Sequence, residues 1–170
     1  MVASRLLKLP LALAVLAISL LTASRADAGE APVYLPIGVI GSVSNRGVAI
    51  GFEATVDVPY VSDVVGLGLL GQYQWVSGGG RRLVGGAQVM FFDDIVGLEA
   101  GIVRFEHSAT ADTGVHLAPF ASIGWFYAAL RVDIPVYDRA GAPPVEVGLV
   151  LAFKVPLPLG GDMRHIGLGG

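Results

Sequence analysis

Glu106, His107 and Ser108 stand in a row, and a carboxylate, an imidazole and a hydroxyl are the groups of a nucleophilic hydrolase. In that chemistry the hydroxyl attacks, the imidazole takes its proton and the carboxylate orients the ring. Neighbouring residues of an extended chain point to opposite faces, so His107 and Ser108 do not share a site if they lie in a strand. The spacing favours a solvated loop. A second group of charges is spread over the chain: Glu53, Glu99, Arg131, Asp133, Glu146 and Lys154, with Arg82, Arg104 and Glu106 nearer the ends of their segments. His116 shares the face of these charges, as a buried, hydrogen-bonded histidine without a second histidine at ligand spacing. A charge in a poorly hydrated space is costly unless paired, so Arg131 and Lys154 are expected to bridge neighbouring carboxylates. No phosphate loop, dinucleotide fingerprint or zinc motif is present, and no cofactor or metal is expected. The absence of cysteine removes disulfides, thiolate metal sites and a cysteine nucleophile.

The elements that position these charges are strands. In residues 47–58, Val48, Ile50, Phe52, Ala54, Val56 and Val58 alternate with Ala49, Gly51, Glu53, Thr55 and Asp57. This is the period of a strand with one apolar and one small or polar face; a helix would mix the two sets. The pattern recurs over about 37–43, 64–76, 81–92, from 95 onward, 115–123, 126–134 and 145–155, which makes eight strands. In the fifth the phase slips, because Arg104 and Glu106 fall in the apolar register, and a bulge near Ile102–Val103 is expected. Pro119 in the sixth calls for a second bulge. Ser44-Asn45-Arg46-Gly47, the triple glycine 78–80, Asp93-Asp94 and Gly124-Trp125 are turn or loop signals.

Composition places the strands. Of the 170 residues, 54% are hydrophobic and 15% charged, whereas an ordinary soluble domain carries about 25% charge. No internal run is long and apolar enough for a transmembrane helix. The net charge of −3 gives no electrostatic case for nucleic acid. Residues 1–28 read as a secretory signal: Arg5 and Lys8, an apolar core over 11–21, and Ala26-Asp27-Ala28 as a small-x-small cleavage site. Residues 29–36 read as a linker, 37–156 as the barrel domain and 157–170 as a Gly-rich tail.

The fold class expected is therefore all-β, an eight-stranded antiparallel up-and-down transmembrane β-barrel. Closure is obligatory in lipid, and strands of about 9–12 residues suit a tilted crossing. The face opposite the apolar one holds Gly, Ala, Gln and scattered charges, a poor solvated exterior but a suitable filling for a narrow lumen. Trp75, Phe105 and Tyr137 are expected at an outer aromatic girdle, and Phe91, Trp125 and Phe126 at an inner one.

By architecture, over about 37–155, the chain resembles the small eight-stranded outer-membrane barrels of Gram-negative bacteria, the OmpA/OmpX-like class. The resemblance implies the outer membrane as location, its lipid as partner, a monomer, and a non-enzymatic structural or surface-interaction role. One departure is the end of the chain: such barrels commonly finish on a strand with a terminal aromatic, whereas here Phe153 is the last aromatic. Three other readings stay open. The first is a soluble secreted lipocalin-like carrier with its apolar face inward. The second is a narrow pore. The third is a lipid A-modifying hydrolase, a chemistry known among small outer-membrane barrels, which would use Glu106, His107 and Ser108.

Overall fold

The computed structural model describes residues 33–62, 65–92, 95–107, 110–136 and 145–160. They form eight strands: β1 Val33–Ser44, β2 Gly47–Ser62, β3 Val65–Val76, β4 Gly80–Phe91, β5 Val96–His107, β6 Thr110–Ile123, β7 Phe126–Pro135 and β8 Glu146–Gly160. Each pairs antiparallel with the next, and β1 pairs with β8, so the barrel is closed and up-and-down. Among the described residues no helix is long and apolar enough to cross a membrane. Ser44, Val76, His107 and Pro135 end their strands at one rim, the loop rim. Ser62, Phe91 and Ile123 end theirs at the other, the terminal rim, where β1 begins and β8 finishes.

Two turns show why the chain reverses where it does. Ile123 pairs with Phe126, leaving Gly124 and Trp125 as a two-residue hairpin loop, and Gly124 has φ 60°. Primed turns match strand twist and need positive φ at the first central position, which glycine adopts without strain. At the loop rim Gly47 closes the Asn45-Arg46 turn with φ 122°.

The apolar face points outward and the polar face inward. Val39, Ile50, Phe52, Leu67, Leu130, Leu149 and Leu151 are exposed, while Glu53, Asp57, Arg82, Glu99, His116, Arg131, Asp133 and Glu146 are buried. Two apolar clusters share the interior with these charges. One comprises Ile40, Met90, Ala118, Phe120, Tyr127, Ala129, Val150 and Ala152; the other is Leu70, Val84 and Val103 with Phe105 against it.

Four local expectations are corrected. The β5 ladders run without register shift from Val96 to His107, so there is no bulge at Ile102–Val103. Parity instead carries Arg104 and Glu106 to the outer face, where they pair at 3.0 Å, and Val103 and Phe105 to the inner one. Pro119 needs no bulge either. The β6–β7 ladder lapses at Ala118 and Pro119, then resumes in the same register, Leu117 opposite Val132 and Phe120 opposite Ala129. Register shifts occur instead between Val58 and Ser62 in the β2–β3 ladder and between Val33 and Tyr34 in the β1–β8 ladder. Finally, β1 begins at Val33 and β8 runs to Gly160. Strand therefore extends into both the expected linker and the expected tail, Pro36 opposite Pro156 and Tyr34 opposite Pro158.

Candidate functional site

The interior charges form one continuous network. At the loop rim, Arg46 lies 4.4 Å over the Phe105 ring and 3.6 Å from Glu146 Oε2. Arg131 on β7 pairs with Glu146 on β8 and donates from Nη1 to Ser42 Oγ (3.2 Å) and Gln74 Oε1 (3.1 Å). Deeper in, Arg82 on β4 clasps Asp133 on β7. Its Nε donates to Oδ2 at 3.0 Å and its Nη2 to Oδ1 at 3.2 Å, a bidentate geometry that fits guanidinium to carboxylate. Its Nη1 donates to Gln72 Oε1 (3.0 Å) and Gln74 Oε1 (3.1 Å).

His116 on β6 joins this layer to the next. Its Nδ1 lies 2.6 Å from Asp133 Oδ1 and its Nε2 3.2 Å from Glu99 Oε2. An imidazolium is the form that donates to both carboxylates. Glu99 also accepts from Tyr127 OH and from Gln72 Nε2 (3.2 Å), and the same Gln72 amide donates to Glu53 at 3.1 Å. Lys154 on β8 pairs with Glu53 and sits 3.9 Å from the Tyr127 ring centroid. Toward the terminal rim Asp57 accepts from Thr55 Oγ1 (3.0 Å) and Gln88 Nε2 (2.7 Å).

Backbone spacing makes these contacts possible. Gly38 stands between Lys154 and Glu53 in one cross-strand row, and a Cβ there would collide with Lys154. Gly68 stands between Asp57 and Gln88 in another, and a Cβ there would meet both side chains. Small residues on one strand thus leave room for long side chains to meet from the strands on either side.

The structure brings Glu53, Glu99, Arg131, Asp133, Glu146 and Lys154 together in this network. Arg82 stands third in β4, near the strand end as the sequence places it, yet its side chain reaches into the network and is fully buried. Gln72, Gln74 and Tyr127 also belong to it, and their inward parity is the signal the sequence carries for them. Of the aromatic girdle, Trp75 faces outward near the loop rim, and Phe91, Trp125 and Phe126 are exposed at the terminal rim. Phe105 does not belong to the girdle, because its odd position on β5 turns it inward under Arg46. Tyr137 lies outside the described residues.

Chemically the charges of the network are paired with one another, while Gln74 Nε2 and Gln88 Oε1 are buried without a hydrogen-bond partner. Arg46, Arg82, Arg131 and Lys154 face Glu53, Asp57, Glu99, Asp133 and Glu146, and a doubly protonated His116 makes the two sets equal in charge. Guanidiniums and amides occupy the carboxylate oxygens, and among the described residues no group of acids and histidines is arranged to hold a metal. Of the hydrolase residue types, Glu106 points outward onto Arg104 and His107 has the opposite parity; Ser108 lies outside the described residues.

No protein-family model matches the chain, and no curated protein or solved structure matches it. The class of protein is thus defined by its geometry alone: a closed, eight-stranded antiparallel barrel, apolar outside and charged within.

Proposed function

We propose that this is a transmembrane barrel of the OmpA/OmpX-like kind, resident in the outer membrane after export by the signal in residues 1–28. Its role is structural or surface-interacting, and its lumen is closed by its own side chains. The observation that carries the reading is the direction of the two faces. Side chains as large as Phe126, Ile123 and Ile50 stand 69%, 81% and 61% exposed, while full charges are packed inside. Water penalises that arrangement twice, by wetting apolar surface and by desolvating charge, whereas lipid reverses the first penalty. Closure leaves no unpaired strand edge, as a hydrocarbon environment requires. A soluble carrier would need the apolar face turned inward.

The lumen argues for a plug over a pore. A ring of eight strands encloses little more than side chains, and here those side chains are cross-linked from β1 to β8 by charge-assisted hydrogen bonds.

The test is fractionation of expressing cells followed by gels of unboiled and boiled samples in SDS. An outer-membrane band whose mobility shifts on boiling is expected, because a closed barrel opens only cooperatively. A soluble band without a shift would overturn the membrane assignment.

A further inference from the structure

The outer face carries charge in one place. Among the described strand residues whose side chains point outward, Arg81 on β4 and Arg104 and Glu106 on β5 are the charged ones, and all three lie together at the loop rim. They occupy two adjacent cross-strand rows. Trp75, Arg81, Glu106 and Ala111 form the first; Tyr73, Leu83, Arg104 and Thr113 form the second. Glu106 is taken by Arg104 at 3.0 Å, both side chains about 40% exposed (40% and 38%). Arg81 is exposed and has no hydrogen bond or ion pair among the described residues, so the cluster presents one net positive charge. Trp75 beside it packs edge-to-face on Tyr73 (4.8 Å) and Phe52 (5.8 Å), which fixes an amphipathic ring at this level.

We propose that Arg81 and Arg104, with Trp75, hold the phosphate of an anionic bilayer lipid at the loop rim. The inference rests on the membrane reading and adds a ligand to it. Tryptophan marks the level where hydrocarbon gives way to headgroups. Guanidinium donors at that level meet lipid phosphate, which they bind through paired N–H bonds. A lipid whose phosphate is not neutralised by its own amine complements the single positive charge. Elsewhere the described outer strand positions carry no charge that could select one headgroup from another.

The full chain reconstituted in vesicles tests this with its two tryptophans as reporters. Trp125→Phe leaves Trp75, beside the cluster; Trp75→Phe leaves Trp125, at the terminal rim. Quenching by brominated phosphatidylglycerol is compared with quenching by brominated phosphatidylcholine at equal mole fraction. Trp75 is expected to show about fivefold preference for the anionic lipid, the factor one uncompensated basic residue is worth at an anionic surface. Trp125 is expected to show none. Arg81→Gln with Arg104→Gln removes the preference, and Arg81→Lys with Arg104→Lys keeps it, which separates lost charge from lost fold. Equal quenching of Trp75 by both lipids, or a preference surviving in the double Gln variant, overturns the site and leaves the membrane reading standing. Loss of the preference in inorganic phosphate at matched ionic strength makes it a site for free anions and overturns the lipid assignment. If neither lipid quenches either tryptophan, both readings fall.

Discussion

Arg82 and Asp133 clasp each other inside the barrel with β5 and β6 between their strands and 51 positions between them in the chain, guanidinium on carboxylate, both side chains withdrawn from solvent. The pair acts as a strut joining walls that share no ladder. Its worth depends on being complete. Taking two charges out of water is expensive, and their attraction repays that only in good geometry with the remaining donors engaged.

Removing one member is therefore expected to be far worse than removing both. Asp133→Asn strands the Arg82 charge and should cost about 3–5 kcal/mol. Arg82→Met with Asp133→Leu should recover most of that loss. Urea unfolding in lipid or detergent, followed by the gel shift between closed and open forms, gives both numbers. Equal costs for the single and double variants would mean that the ion pair is not what holds these walls.

Glycines at matched depth should behave oppositely according to the face they serve. Gly38→Val drives a side chain into the path by which Lys154 reaches Glu53 and is expected to destabilise strongly or block closure. Gly71 and Gly85 face outward, and a Cβ on either meets nothing within 4 Å. Their replacement by Ala should be neutral or stabilising by about 0.5–1 kcal/mol, the conformational freedom glycine loses in a strand. The same unfolding assay checks all three variants, and a tolerated Gly38→Val would remove the spacing argument.

The outer face offers a direct discriminator of environment. Leu151 is 57% exposed in β8. In water, Leu151→Arg would be close to neutral. Within hydrocarbon it should cost about 2–4 kcal/mol, as arginine does at the midplane of a membrane barrel. A variant as stable as the parent would contradict lipid at that position.

A plugged lumen predicts silence in planar bilayers. The parent protein should show no unitary conductance, and Arg131→Ala with Glu146→Ala, which removes both members of one interior ion pair, should admit water and raise ion leakage above the parent. Discrete openings in the parent would favour the narrow-pore reading.

Most of the barrel was legible because its physics has period two. Phe52 and Glu53, or Leu149 and Val150, differ in surroundings only by parity, and parity is written residue by residue in the sequence. What parity cannot supply is depth. Arg82 is near its strand end, as its place in the sequence says, but position along a strand does not reveal how far a long side chain leans into the lumen. Its hydrogen-bond partners on β3 and β7 are up to 51 positions away. Phe105 was misplaced for a related reason. The apolar-outside rule holds across the belt and reverses at the loop rim, where Arg104 and Glu106 face out and Phe105 faces in. The strand ends at Val33 and Gly160 were hidden because Pro36, Pro156 and Pro158 look like breakers, and their pairing becomes visible only once the first and last strands meet.

That meeting sets an order of events in the life of the chain. Seven of the eight ladders join strands adjacent in sequence and need only short stretches of chain to form. The eighth joins Val33 to Gly160 and the residues next to each, so it cannot complete until the chain as far as Gly160 is present. Contacts of such separation are the slow ones, because the entropy of closing the loop is lost before any contact rewards it. Closure is then the clock of assembly, and an unclosed sheet with two bare edges is the species a cell must shepherd until the last strand zips home.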